Sequence, residues 1–447
     1  AQARLEENAR TVPLHAHVAA PPGRAGMLRR PESVQRSVTE AVEAGCAPEE
    51  HGRTDTLQTA SNMVNCFIGA GILTVPFAFR LAGYSAGLAL LLVAVLNWVA
   101  SILLGHALEK ASRLRPDIPR AAWDLKVLGG VVIGPWGGQA VGALLTLEVW
   151  FALETFLILT GINIHLLTGL SKASVIVIAG CLGTWSLSLP MSAIAKLSNL
   201  SVICMMGALV SLLVCGEMLA SSPGASAARH DFLRPQGVPS AVAILTYAFS
   251  GLPCLPNIRA GMRRPEQYSS AVHLAFSFAV PYYLAVGCLG YGFFADATRE
   301  SFTLNYVPYD GMPGRGVFIT FSLASSALFA AKLQAGFPLY AAPVLQAMGF
   351  GVASESEPLP ARVVGARVAF AITSVAFATC ARDALVNVAE LMGAILTMST
   401  SVLFPVVAYV GARRVAEEPL KFGEAIGLGG VFCMGVALAV SDLCHRH

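Results

Sequence analysis

One stretch of this chain decides its fold: Asn62-Met-Val-Asn-Cys-Phe-Ile-Gly-Ala-Gly-Ile-Leu-Thr-Val-Pro76. The stretch is polar and rich in glycine, whereas an ordinary membrane helix is apolar throughout. Gly69 and Gly71 give a helix little support, and Pro76 removes a backbone donor and crowds the preceding turn. In lipid, an unwound helix is tolerated only where its freed N–H and C=O groups face a cavity or a bound solute. The stretch therefore predicts a broken membrane helix that forms part of a binding site.

The composition of the whole chain is that of a helical membrane protein. Hydrophobic residues make up 55% of the sequence and charged residues only 13%, and the mean hydropathy is +0.64. Apolar runs long enough to cross a hydrocarbon core, about 18 residues or more, recur along the chain. The net charge of +3 is too small to indicate nucleic-acid binding. No cysteine pair has the C-x-x-C spacing of a zinc site, so we expect no metal and no cofactor.

Residues 1–54 differ in composition from the rest of the chain. Prolines interrupt any periodicity there, and Arg, Glu, Ala and Ser dominate, which predicts a disordered cytoplasmic tail. The segment lacks the apolar core of a cleaved signal peptide. A solvated tail is favoured over one that contacts an anionic membrane surface. Residues 55–447 are then expected to form the transmembrane domain.

Eleven membrane spans are predicted in that domain. They lie at about 57–79, 86–108, 138–164, 173–190, 197–219, 239–261, 270–294, 315–348, 363–381, 384–411 and 422–441. Fourteen lysines and arginines fall in the connections on the side of the N-terminus and eight on the opposite side. The excess places the N-terminus in the cytoplasm. With an odd number of spans, the C-terminus is expected outside the cell or in a lumen.

The sixth span repeats the irregularity of the first. It contains Tyr247-Ala-Phe-Ser-Gly-Leu-Pro-Cys-Leu-Pro-Asn257, with one glycine and two prolines in an apolar run. Broken helices at matching positions of two halves indicate an inverted repeat with a site at the repeat interface. We predict repeat one at 57–219, repeat two at 239–411 and an extra helix at 422–441. The alternative is two proline kinks that serve only packing.

Several motifs of the chain resemble one transporter family. The first span contains Asn62-x-x-Asn65-x-x-Ile68-Gly-Ala-Gly-Ile-Leu-x-x-Pro76, which is similar to the first-helix signature of the amino acid/auxin permease family. The third, sixth and seventh helices of that family resemble Glu148-(x5)-Glu154-x-Phe-Leu-Ile-Leu-x-Gly161, Tyr247-x-Phe-Ser-Gly251-(x4)-Pro256-Asn-Ile and Gly290-Tyr-Gly-Phe-Phe294. The resemblance covers nearly all of 57–441 and leans toward the vacuolar and vesicular branch. It implies an all-helical, leucine-transporter-like fold with five plus five repeated helices and transport of amino acids.

An amino acid zwitterion matches the chemistry of two broken helices. The N–H groups of Gly69, Ala70, Gly71 and Ile72 lie at the start of a half-helix, where the dipole favours a carboxylate. The carbonyl groups near Phe249, Ser250 and Gly251 could accept from the ammonium group. We expect Phe67, Tyr247 and Phe249 to line the space for the substrate side chain, which suggests neutral amino acids.

Lys332 is predicted near the middle of the eighth span. It lies roughly 24 Å from either end at 1.5 Å per residue, so its ammonium group cannot reach water along the helix. In the leucine-transporter-like fold, this position touches the broken first helix where sodium-coupled members hold an ion. Lys332 is therefore expected to replace that ion, so that it gates protons or stabilises the unwound carbonyls. The alternative is a lysine that pairs permanently with a buried glutamate.

Two glutamates and two asparagines complete the candidate residues. Glu148 and Glu154 lie about 120° apart around the third helix, so they do not share a face. Glu154 is expected to be the better candidate for carrying a proton, and Glu148 is expected to pair with a neighbouring helix. A structural role for both stays open. Asn62 and Asn65 are expected to cap the break or to hold a cation.

These features predict a secondary amino acid transporter that works by alternating access, coupled to protons in preference to sodium. The expected partners are a small-molecule amino acid and the lipid bilayer, without nucleic acid. The sequence contains no phosphate loop, metal cluster or nucleophile–base spacing, so we do not expect an enzyme. The second hypothesis is an amino acid sensor or a structural subunit on the same fold. The membrane is expected to be of vacuolar or lysosomal type, or the plasma membrane.

Overall fold

The computed structural model describes residues 54–187, 200–221, 230–347 and 360–445. Within these ranges the chain is helical, and its β contact is an isolated bridge between Thr54 and Met262. The predicted tail lies outside the described residues except for Thr54. The predicted junction of the fourth and fifth spans, residues 188–199, also lies outside them.

The helices are numbered along the chain. They are α1 Thr56–Phe67, α2 Val75–Ala82, α3 Ala86–Leu114, α4 Leu125–Val132, α5 Pro135–Thr168, α6 Lys172–Ser186, α7 Leu200–Ala220, α8 Val238–Ala248, α9 Leu255–Ala260, α10 Tyr268–Phe294, α11 Arg315–Ala347, α12 Ala361–Cys380, α13 Leu385–Leu391, α14 Phe404–Val415 and α15 Phe422–His445. Between α13 and α14 the chain continues as a π-helix, Met392–Leu403.

Eight helical stretches of the described residues are long and apolar enough to cross a membrane, and two shorter apolar helices, Lys172–Ser186 and Cys204–Ala220, accompany them. The predicted class, an all-helical multi-pass membrane protein, is confirmed. The number eleven stays a prediction, because the first span is divided into α1 and α2, each too short to cross alone.

The first helix is broken where the sequence predicted. Helix α1 ends at Phe67, and Gly69 follows with φ −90° and ψ −147°, which is not helical. A 3₁₀ turn covers Ala70–Leu73, and α2 begins at Val75. Pro76 lies in the first turn of α2, where its missing N–H costs no helical hydrogen bond. We call residues 68–74 the first break.

The sixth helix is broken in a similar way. Helix α8 ends at Ala248, a 3₁₀ turn covers Leu252–Cys254, and α9 begins at Leu255. Its two prolines lie at the starts of the short helical pieces, where a proline is tolerated. We call residues 249–254 the second break.

The packing places both breaks inside the helical bundle. Helix α10 packs against α1 and α2, and α5 packs against α11 and the π-helix. The predicted extra helix lies at the periphery, since only 6% of the residues in its membrane window, within Phe422–Ser441, are buried.

The start of α1 is tied to the loop that follows α9. Thr54 N donates to Gly261 O at 3.1 Å, and Arg263 N donates to Thr54 O at 2.9 Å. The Arg120 guanidinium, in the connection between α3 and α4, donates to the carbonyls of Arg259 and Met262. The two bonds of Thr54 hold the start of the first broken helix against the end of the second, and Arg120 attaches that end to the connection between α3 and α4.

Candidate functional site

Each break packs directly on the other broken helix. A Cβ atom at Gly71 would lie 2.6 Å from Ala248 Cα, and one at Gly251 would lie 2.7 Å from the carbonyl carbon and oxygen of Cys66. Real Cβ contacts are never this short, so a residue other than glycine would push the two segments apart. The glycine of each break therefore permits close approach to the other broken helix.

The predicted carboxylate-binding segment lies within the first break. Ala70, Gly71 and Ile72 are buried in the 3₁₀ turn, and Gly69 is half-buried at its start. Around Gly69 there is space, because the nearest atom to a side chain there would be Cys66 O, 3.9 Å away. The structure thus keeps the four predicted residues together beside an open position. Their binding of a carboxylate stays a prediction.

Lys332 reaches the first break from α11. Its Nζ donates to the carbonyl oxygen of Ile68 at 2.7 Å, at the point where α1 ends. The thiols of Cys66 and Cys204 lie close enough to interact with the ammonium group. Within the part of the chain that the structure describes, Lys332 forms no ion pair with a carboxylate. This geometry favours the expectation that Lys332 stabilises the unwound carbonyls over permanent pairing with a glutamate.

Tyr283 is a functional candidate that the sequence reasoning missed. Its hydroxyl lies 2.7 Å from both Phe67 O and Ala248 O, the carbonyls at the ends of α1 and α8. A tyrosine hydroxyl has one proton to donate, so the two carbonyls share it. The available signal was a tyrosine deep within an apolar span, since such a hydroxyl needs a buried acceptor.

The three predicted aromatic residues are packed in the core. Phe67 and Phe249 both contact the ring of Phe276 on α10, with centroids 4.8 Å and 6.0 Å apart. The Tyr247 side chain instead contacts α5, and its hydroxyl oxygen lies 2.8 Å from Thr155 Oγ1. The structure therefore brings two of the rings together and places the third against another helix. Their contact with a substrate stays a prediction.

The polar side chains of the first broken helix do not converge in one cluster of hydrogen bonds. Thr74 Oγ1 donates to Gly71 O at 2.8 Å, which closes the break on itself. The buried Asn65 Oδ1 has no hydrogen-bond partner among the described residues, and Asn62 is half-buried one turn earlier. Ser250, also half-buried, donates its backbone N–H to Tyr247 O at 3.0 Å. The cation-holding role of the two asparagines stays a prediction.

The two glutamates of α5 face different neighbours, as their spacing predicted. Glu154 is fully buried, and the Ser374 hydroxyl of α12 lies near its carboxyl group without a well-formed hydrogen bond. Glu148 Oε2 accepts from Thr400 Oγ1 of the π-helix at 2.6 Å. The expected pairing of Glu148 with a neighbouring helix is therefore present, and Glu154 faces the more peripheral helix.

An apolar groove of about 530 Å³ lies away from both breaks. It runs between α4, α14 and α15, and Arg414 is the charged residue among its lining residues. Such an apolar lining favours a hydrocarbon chain in the groove over a zwitterion. The breaks are therefore the better candidate for a polar solute.

Known proteins share this fold. The structure of MHP1, a nucleobase-cation-symport-1 family transporter, matches with a TM-score of 0.58 and 13% identity, covering 88% of this chain and 92% of that chain. The structure of MhsT in complex with L-phenylalanine matches with a TM-score of 0.52 and 11% identity, covering 89% and 100%. These similarities concern the fold alone, and they confirm the predicted leucine-transporter-like architecture.

Similar sequences come from Arabidopsis thaliana. Amino acid transporter AVT1E is 23% identical over 91% of this chain and 78% of its own length, and amino acid transporter AVT1J is 24% identical over 87% and 90%. The family model described as transmembrane amino acid transporter protein matches residues 52–443. Since that match spans nearly the whole chain, the protein belongs to the family of transmembrane amino acid transporter proteins, which are transporters and not enzymes.

Proposed function

We propose that this protein is a secondary active transporter that carries amino acids across a membrane by alternating access. The observation that carries the proposal is the pair of helix breaks inside the bundle, each packed on the other broken helix and each with backbone polar groups. Unwound backbone at membrane depth is tolerated only beside protein or a cavity, and it offers both donors and acceptors to a zwitterion. The family membership and the similarity to two named amino acid transporters support the same solute class.

The substrate is proposed to be a neutral amino acid. Neither break contains Asp, Glu, Lys or Arg, so recognition of the carboxylate and the ammonium rests on the backbone. Bulky buried apolar residues lie in or next to both breaks, among them Phe67 and Phe249. A substrate with a charged side chain would need a partner that neither break supplies.

The coupling ion is proposed to be the proton. Lys332 Nζ donates to the Ile68 carbonyl oxygen, so this oxygen is satisfied without a sodium ion. An ammonium can lose its proton when its surroundings change, so its charge can follow the transport cycle. The first and sixth helices would then move against a scaffold that includes α5 and α11.

The membrane is proposed to be that of an acidic compartment of vacuolar type, with the N-terminus in the cytoplasm. A proton gradient across such a membrane can drive uptake or release of the amino acid. The excess of basic residues on the N-terminal side supports the orientation.

Uptake of radiolabelled amino acids into proteoliposomes tests the proposal. An imposed pH gradient is expected to accelerate uptake of at least one neutral amino acid, with or without sodium, and a protonophore is expected to abolish the acceleration. Sodium-dependent flux that ignores the pH gradient would refute proton coupling. Binding without flux would identify a sensor, and neither binding nor flux would identify a structural subunit.

A further inference from the structure

Glu148 is a buried carboxyl group whose two oxygens have different surroundings. The residue is 2% exposed. Oε2 accepts from the Thr400 hydroxyl at 2.6 Å, whereas Oε1 is buried and has no hydrogen-bond partner among the described residues. An acceptor left open in this way is available to a small ligand that can donate to it.

The helix that faces Glu148 is a π-helix over twelve residues, Met392–Leu403. π-helical segments are rare and occur frequently at functional sites. Thr397 on this segment lies within reach of the Glu148 carboxyl, and its hydroxyl is buried without a partner that meets hydrogen-bond geometry. Thr400 also donates to Leu396 O at 3.0 Å, so its hydroxyl proton is shared between two acceptors. The polar cluster of Glu148, Thr397 and Thr400 is therefore incompletely satisfied.

This cluster lies beside the second break. The Glu148 carboxyl is close enough to interact with the Cys254 thiol, in the 3₁₀ turn of that break, and with the Tyr340 hydroxyl of α11. Among the described residues, these are the titratable groups that lie near the Glu148 carboxyl. Within the described ranges Glu148 has no ion pair with a lysine, arginine or histidine. Glu154, in contrast, faces Ser374 on α12.

The free-energy cost of a buried charge indicates which ligand the cluster of Glu148, Thr397 and Thr400 binds. An ionised carboxylate inside the membrane costs about 3 kcal/mol or more, and one hydroxyl hydrogen bond does not offset that cost. A proton removes the charge and converts one carboxyl oxygen into a donor. We propose that Glu148, together with the Thr397 and Thr400 hydroxyls of the π-helix, forms a proton-binding site that loads when the cluster is closed and releases when movement at the second break admits water.

The inference rests on the proposed transport function and assigns a coupled proton to Glu148, and not to Glu154, in addition to the proton that Lys332 carries. Binding is a simple protonation: one carboxylate oxygen gains the proton from water on one side of the membrane and returns it on the other. Because Thr400 holds the carboxyl group, Thr400 is a positioning residue.

Infrared difference spectroscopy of the purified, lipid-reconstituted protein tests the site without reference to transport. One component of the protonated-carboxyl C=O absorption that changes across a pH titration is expected in the wild-type protein and missing from Glu148→Gln, so that it appears in the wild-type minus variant difference spectrum. Thr400→Val is expected to shift that band, because it removes the hydrogen bond to the carboxyl group. A C=O difference spectrum that is unchanged in Glu148→Gln, or that loses a component only in Glu154→Gln, would overturn the assignment.

Proteoliposome assays then ask whether the site drives transport. Glu148→Gln is expected to retain counterflow exchange of substrate. Its rate of uptake driven by a pH gradient is expected to fall at least about tenfold. Glu217→Gln, at an exposed position near the end of α7, is the matched control and should keep both. Glu148→Asp, which restores the acid, should recover pH-driven uptake with a shifted pH profile.

Outcomes of the two assays separate the inference from the proposed function. A wild-type protein with the Glu148 band but no pH-driven flux refutes proton-coupled transport and leaves the proton site standing. Undiminished pH-driven uptake by Glu148→Gln refutes the site's role and leaves proton-coupled transport standing.

Discussion

The first break and the second break both interrupt a membrane helix, yet they are held by different chemistry. The carbonyl of Ile68 in the first break receives a charged hydrogen bond from Lys332. Both breaks also close locally, through hydrogen bonds from Gly69 N to Phe67 O at 2.9 Å and from Gly251 N to Phe249 O at 2.8 Å. The acid near the second break, Glu148, is bonded to the π-helix and not to the break. Removing the Lys332 side chain should therefore alter the conformation of the first break. Removing the Glu148 carboxyl group should abolish proton binding at that position and leave the conformation of the second break unchanged.

The largest expected effect comes from Lys332→Met, which removes the charge from the first break. Leaving a buried carbonyl unpaired costs about 1–3 kcal/mol, or about 5- to 150-fold in an equilibrium. We expect transport in proteoliposomes to fall to background and the Tm of the purified protein to decrease. Lys332→Arg keeps a charge that cannot be released, so it should preserve Tm but not proton-driven flux.

Gln334→Met is the matched control for Lys332→Met, because Gln334 lies on the same helix and its Nε2 donates to Ala179 O at 3.2 Å, in a helix without a break. It should change both measurements little. Equal losses in the two variants would show that the first break has no special dependence on its charged partner.

Substitution of the break glycines tests the feature that the two breaks share. Gly71→Ala would place a methyl group 2.6 Å from Ala248 Cα, and Gly251→Ala would place one 2.7 Å from the Cys66 backbone. Overpacking of this kind typically costs about 1–3 kcal/mol. Both variants should therefore lose Tm and transport to a similar extent.

Gly365→Ala is the control for the glycine series, since no atom lies within 4 Å of its added methyl group. It should behave as wild type in both the Tm and the flux measurement. A stable and active Gly71→Ala would contradict close packing of the two breaks in the working protein.

The smallest of the three effects is expected for Tyr283→Phe, which weakens both breaks together. The change removes one hydroxyl, and with it a hydrogen bond shared by Phe67 O and Ala248 O, so a cost of about 1 kcal/mol is expected. Transport rate should fall several-fold with a modest loss of Tm. Tyr282→Phe removes a hydroxyl that donates to Met205 O at 2.6 Å, away from the breaks, and should reduce Tm more than it reduces transport. The opposite order would show that Tyr283 is only a packing residue.

The sequence predicted the positions of both breaks because glycine and proline act locally. Gly69, Gly71 and Pro76 disfavour a continuous helix wherever they occur in a membrane span, and the same holds for Gly251 and Pro253. It also predicted that Lys332 meets the first break, through the resemblance to a known fold. The position of Tyr283 was missed, because its hydroxyl reaches acceptors 216 and 35 residues away in the chain.

By itself, the sequence determined the membrane class, the two broken helices and the separation of Glu148 from Glu154 around one helix. These properties depend on hydropathy, backbone preference and the 3.6-residue period, all of which are local. Only the tertiary structure decided which glutamate lies beside a break, and that the facing segment is a π-helix. The rotation of α5 against its neighbours is set by side-chain packing between distant segments, and a 120° turn of that helix would exchange the surroundings of the two acids.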